Sequence, residues 1–136
     1  MELVIDRKFR GPTTSANGGY TCGLLASLLH GPVEVTLRLP PPLERPLEVV
    51  TDDQVELRDG EALVAQAAPA EVELDVPDPI SFDEAAAAAL PEGDRDSVFP
   101  ECFVCGWARD DGLRIYAGPV EGRDLVAATW VPSDDV

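Results

Sequence analysis

Asn17, Gly18, Gly19 and Tyr20, and farther along the pair Cys102 and Cys105, are the residues of this 136-residue chain whose types and spacing could do chemistry. An Asn ahead of a helix is a favoured N-cap, and the first N–H groups behind it have no partner inside the helix. With the helix dipole they can stabilise negative charge developing on a carbonyl oxygen. Two glycines in a first turn cost about 1 kcal/mol each relative to Ala. The bare backbone therefore needs a reason, either close approach of a ligand or second backbone, or tight helix packing. Cys102-Phe103-Val104-Cys105 has a spacing at which two thiolates can share one metal, but a closed structural site normally takes four ligands. The other soft candidates, Cys22 and His30, would lie about 12 Å apart along a continuous helix at 1.5 Å per residue, too far to meet on one ion. No metal site and no cofactor are expected. The reading is two buried thiols in a turn, a small core residue at Cys22, and an exposed His30 that favours a helix C-terminal dipole. Between Gly19 and Leu29 there is no acid, and Thr21 and Ser27 read as hydroxyls bonded to backbone carbonyls. No catalytic residue is identified.

The elements that must position these groups are legible from pattern. From Gly11 to Pro32 there is no Asp, Glu, Lys or Arg, in a chain that is 26% charged. The segment is expected to be buried and to hold one helix, with Asn17 as its cap, Tyr20, Leu24, Leu25, Leu28 and Leu29 at helical spacing, and Gly31-Pro32 as its stop. The period then becomes two, with Val33, Val35, Leu37 and Leu39 ahead of Pro40-Pro41-Pro42. Further strands are expected over Leu47 to Leu57, turning at Asp52-Asp53, and over Glu61 to Ala67 behind the hairpin dipeptide Asp59-Gly60. Val72 to Val76 alternates and is expected to continue the last strand. Ser81-Phe82-Asp83-Glu84 is a capping box ahead of a short alanine helix. Pro91 to Pro100 reads as a linker, and strands are expected at Leu113 to Tyr116 and Leu125 to Val131, with a turn through Gly118-Pro119 and Glu121-Gly122.

Composition excludes several classes. With 26 acids and 10 bases the net charge is -16, and the small Arg7-Lys8 and Arg10 group cannot make the positive stripe that nucleic acid requires. Nucleic acid and anionic membranes are not expected as partners. No run approaches the length of a membrane span, and three cysteines do not make a disulfide framework, so a cytoplasmic protein with reduced thiols is expected.

Ala16-Asn17-Gly18-Gly19-Tyr20 followed by Gly23-Leu24-Leu25-Ala26 resembles the helix opening of double hot-dog, acyl-CoA thioesterase II-like proteins, where Asn can replace a His. Phe99-Pro100-Glu101-Cys102-Phe103-Val104-Cys105-Gly106 with Gly112-Leu113-Arg114-Ile115 is similar to the segment by which small bacterial hot-dog thioesterase-like proteins enter their first strand. The resemblance implies an α+β hot-dog fold, an antiparallel sheet wrapped around one central buried helix. It divides the chain into a first unit over 1–90, a linker over 91–100, and the Cys-x-x-Cys turn with two strands over 101–136, the start of an incomplete second unit. A truncated form of a longer two-unit protein, or dimerisation, is the corresponding expectation. The implied function is binding or hydrolysis of an acyl-CoA-type thioester by a homodimer, with the carbonyl at Asn17, Gly18, Gly19 and Tyr20. The alternative is a non-catalytic hot-dog ligand-binding or assembly module. In the double hot-dog enzymes the catalytic Asp, Thr and Gln come from the second unit, most of which this sequence lacks.

Overall fold

The computed structural model describes residues 1–132, and the last part of the expected chain end, Ser133 to Val136, lies outside the described residues. The chain divides into two compact units, Met1–Leu74 and Asp75–Val136. The expected boundary at residue 90 thus falls earlier, and the alanine helix belongs to the second unit.

Met1–Leu74 is an α+β unit with a five-stranded antiparallel sheet. Its elements are β1 (Glu2–Leu3), a 3-10 turn (Arg7–Phe9), α1 (Gly18–Ala26), β2 (Val33–Leu37), β3 (Leu47–Thr51), β4 (Val55–Asp59) and β5 (Ala62–Pro69). The strand order is β1-β3-β4-β5-β2, so α1 joins the two edges of the sheet and packs on β2, β5 and β4. One face is apolar by alternation: Leu47 and Val49, Val55 and Leu57, and Ala65 and Ala67 all point into the core. Between β4 and β5 the register slips, with Leu57 opposite Ala65 but Arg58 opposite Leu63. Val64 is the extra residue of this bulge. Its carbonyl turns to accept from the N–H groups of Arg38 and Leu39, at 2.8 and 3.1 Å, and its side chain joins the core. Gly60, at φ +59°, supplies the left-handed residue of the β4–β5 hairpin.

The helix departs from expectation in two respects. Its regular part ends at Ala26, because Leu28 and Leu29 donate to Leu25 and Ala26 across tightened i→i+3 turns, at 3.1 Å each. His30 therefore lies beyond the helix, exposed, ahead of the left-handed Gly31. Only Thr21 and Leu25 of the helix are fully buried, while Gly19, Gly23 and Ser27 form an outward row and Leu28 is exposed. The absence of charge over Gly11 to Pro32 thus reflects burial on one side and smallness on the other.

Val72 to Val76 is not a strand. Val72, Leu74 and Val76 stand 53%, 76% and 82% exposed. The reason is a lack of partners: β2 begins at Val33 opposite Pro69, β4 begins at Val55 opposite Ala67, and after Ala70, whose N–H donates to the Pro32 carbonyl at 3.0 Å, no strand of the described residues pairs with the run. The boundary between the units falls inside this unpaired run.

Asp75–Val136 holds α2 (Phe82–Ala88) and the short pair β6 (Gly118–Pro119) and β7 (Val126–Ala127). The capping box forms as expected: the Glu84 N–H donates to the Ser81 hydroxyl oxygen, and the Ser81 N–H donates to the Glu84 carboxylate. Those bonds hold the Glu84 carboxyl below its ordinary value. Gly118-Pro119 is a strand rather than a turn, and of the strand expected over Leu125 to Val131 only Val126–Ala127 pairs. Leu113 to Tyr116 is not a strand either, because Arg114 adopts φ +56° and breaks the extended backbone. The expected linker is packed: Gly93, at φ +74°, sits where a side chain would meet Trp107 and Tyr116, and the Arg95 guanidinium lies 4.6 Å from the centre of the Trp107 ring.

Candidate functional site

The start of α1 is clamped by backbone on both sides. Asn17 N–H donates to the Phe9 carbonyl at 2.8 Å and Ala16 N–H to the Pro41 carbonyl at 2.8 Å. Asn17 then caps the helix, its side-chain oxygen accepting from Tyr20 N–H at 3.0 Å. Its carbonyl accepts from both the N–H and the hydroxyl of Thr21, each at 3.0 Å. The Thr21 and Ser27 hydroxyls both bond backbone carbonyls, as expected. Tyr20 stacks on Phe9 with ring centroids 3.9 Å apart, and its phenol is pushed up by burial first and by Asp6 second.

These contacts sort the four expected residues into different roles. The Tyr20 amide is already taken by the cap and is not available to a ligand. Asn17 holds the helix start. Only the N–H groups of Gly18 and Gly19 are left without a protein acceptor among the described residues, as the first turn of a helix requires. Gly18 lines a shallow, open depression of about 420 Å³ whose walls include Ser15, Leu37, Arg38, Leu39 and Pro40. Gly19 is exposed beside it. A Cβ at Gly18 would stand 3.0 Å from the Leu37 side chain, and one at Gly19 would stand 3.3 Å from the Asn17 side-chain oxygen.

Arg38 is the one charged side chain lining this depression among the described residues, and sequence reasoning did not place it. The signal was present in the element lengths. Nine helical residues rise about 13 Å and five strand residues return about 16 Å, so a short connection brings the end of β2 back level with Gly18. The sequence Leu37-Arg38-Leu39-Pro40 follows at that point.

Asn17→Ala should remove the cap and cost about 1 kcal/mol. Chemical denaturation measures it, and a loss no larger than that of an exposed substitution would show that the cap does not hold the helix start.

The cysteines lie elsewhere. Cys22, on α1, is half-buried and its thiol is pushed up by that burial. Cys102 is buried but Cys105 is exposed, so the expectation of two buried thiols holds for only one of them. Among the described residues no group of three or more His, Cys, Asp or Glu side chains is placed to hold a metal. Among the described residues no helix is long and apolar enough to cross a membrane. No protein-family model matches the sequence, and neither the curated proteins nor the solved structures gave a match.

Proposed function

We propose that Met1–Leu74 is a hot-dog-type unit of a cytoplasmic protein that binds an acyl-CoA-type thioester, with the thioester carbonyl at the N–H groups of Gly18 and Gly19. The observation that carries this reading is a helix start clamped by backbone hydrogen bonds, with two open amides, beside a depression whose single charged wall residue among the described residues is Arg38. Supporting it, α1 runs between the two edge strands and crosses the sheet face, which is the connection a sheet folded around a helix needs. The outward row of Gly19, Gly23 and Ser27 suits close approach of a second copy, and a homodimer with the ligand entering along that face is part of the proposal.

Among the described residues the depression is lined by no carboxylate, and its one hydroxyl, on Ser15, is buried. A general base within about 3 Å of the attacking water is needed for hydrolysis. This favours a second reading for the isolated unit, a non-catalytic binder, over robust hydrolysis.

A panel of acyl-CoAs in a thermal-shift screen beside a hydrolysis assay separates the readings. Ligand at a hundred times its Kd stabilises by about 2.7 kcal/mol, a rise of several degrees in Tm. Gly19→Val, which covers the open amides while leaving the core untouched, should lower affinity at least tenfold with the fold intact. Wild-type protein that shows neither shift nor turnover with any acyl-CoA, or a Gly19→Val variant that binds unchanged, would sink the assignment. A monomeric mass by light scattering would remove the dimer from it.

A further inference from the structure

The turn that carries Cys102 and Cys105 is laced by backbone hydrogen bonds and braced by two side chains, the Arg109 guanidinium donating to the Glu101 carbonyl at 3.0 Å and the Tyr116 hydroxyl to the Gly106 carbonyl at 3.3 Å. Cys102 N–H donates to the Phe99 carbonyl at 3.1 Å, Gly106 N–H to the Cys102 carbonyl at 2.7 Å, and Ala108 N–H to the Pro100 carbonyl at 2.9 Å. Across from it, Leu113 and Ile115 spend their N–H groups on the carbonyls of Phe103 and Val104, at 2.7 and 2.9 Å. The two residues between the cysteines are therefore pinned from the far side, and the Cys102 and Cys105 thiols are held within hydrogen-bonding reach of each other. Cys102 faces inward next to the buried Phe103, whereas Cys105 is open to solvent. Ions can reach this pair from one side.

The ligand count decides which ion. Zinc in a structural site takes four ligands, and no third His, Cys, Asp or Glu joins the pair among the described residues. A soft ion with a strong thiolate preference, copper(I) above all, accepts a purely sulfur donor set and is satisfied by two sulfurs. We propose that Cys102 and Cys105 form a bis-thiolate site for a soft monovalent cation of the copper(I) type.

Binding is acid–base chemistry with no electron transfer. Two S–H bonds break, two metal–sulfur bonds form, two protons leave to solvent, and the complex carries one negative charge.

The test is an anaerobic titration of the reduced full chain with copper(I) against a coloured copper(I) chelator. Wild-type protein should withhold one equivalent and develop thiolate-to-copper absorption in the ultraviolet. Cys102→Ser and Cys105→Ser should each weaken retention at least tenfold, and Cys22→Ser should leave it unchanged. Because Cys105 is exposed, its variant keeps the fold even if the Cys102 variant does not, and circular dichroism checks both. Copper that stays with the chelator, retention that survives Cys105→Ser, or a preference for zinc at one ion per two chains would each overturn the proposal.

Discussion

Leu25→Ala should lower the unfolding free energy of Met1–Leu74 by about 2–5 kcal/mol, the range for deleting a fully buried Leu. Leu25 has no exposed surface and is the fully buried apolar side chain of α1 in the core, with Tyr20 and Leu24 packed partly buried against it. A nine-residue helix with three glycines has little stability of its own, so tertiary contact must hold it. Beneath it the sheet presents Val64, Ala65 and Ala67, small side chains that make room for the helix and cannot collapse into the space a lost isobutyl group leaves. The void should persist and the cost fall toward the upper part of the range. Denaturant unfolding would show a lower midpoint at an unchanged slope. Leu28→Ala is the matched control: Leu28, in the turn just past α1, is 40% exposed and should change stability by no more than about 0.5 kcal/mol. Equal losses from the two variants would mean that α1 faces the sheet differently. Because the orientation of α1 aims the Gly18 and Gly19 amides, Leu25→Ala should also weaken the thioester binding proposed for that helix start, from a position behind the proposed site.

What the sequence disclosed and what it withheld divide along one physical line. Features set within a few residues were readable: the Asn17 cap, the left-handed Gly60, the Ser81–Glu84 capping box, and the alternation of β2 to β5. Features set by a distant partner were not. Val72 to Val76 has a strand's alternation but no backbone to pair with, since periodicity reports which face would be buried and not whether a neighbour exists. Leu113 to Tyr116 has strand composition, yet its N–H groups are drawn to the cysteine turn and Arg114 takes a left-handed conformation to allow it. At the candidate site the two glycines were visible from their cost in a helix. The occupied Tyr20 amide and the Arg38 wall depend on where a capping side chain and a returning strand arrive.

Gly106→Ala should destabilise Asp75–Val136 by about 3 kcal/mol, the upper part of the range for overpacking. A methyl group at Gly106 would sit 2.5 Å from both the nitrogen and the carbonyl oxygen of Cys102 and 2.6 Å from the carbonyl oxygen of Pro100. None of these atoms can yield cheaply, since each already makes a backbone hydrogen bond inside the turn. Relief would have to come from breaking the bond of Gly106 N–H to Cys102 or that of Ala108 N–H to Pro100, and either opens the turn that spaces the two thiols. Hydrogen exchange gives the local reading: the amides of Gly106, Ala108, Leu113 and Ile115 should lose protection together, because they lace one structure. Ala108→Ser, an exposed change in the same turn, should leave all four protected. Copper(I) retention should fall with their protection even though both sulfurs remain in the sequence, since a chelate depends on the spacing its backbone enforces. A Gly106→Ala variant with normal exchange at these amides would mean that the turn has slack, and that its glycine answers to something other than the crowding of Cys102 and Pro100.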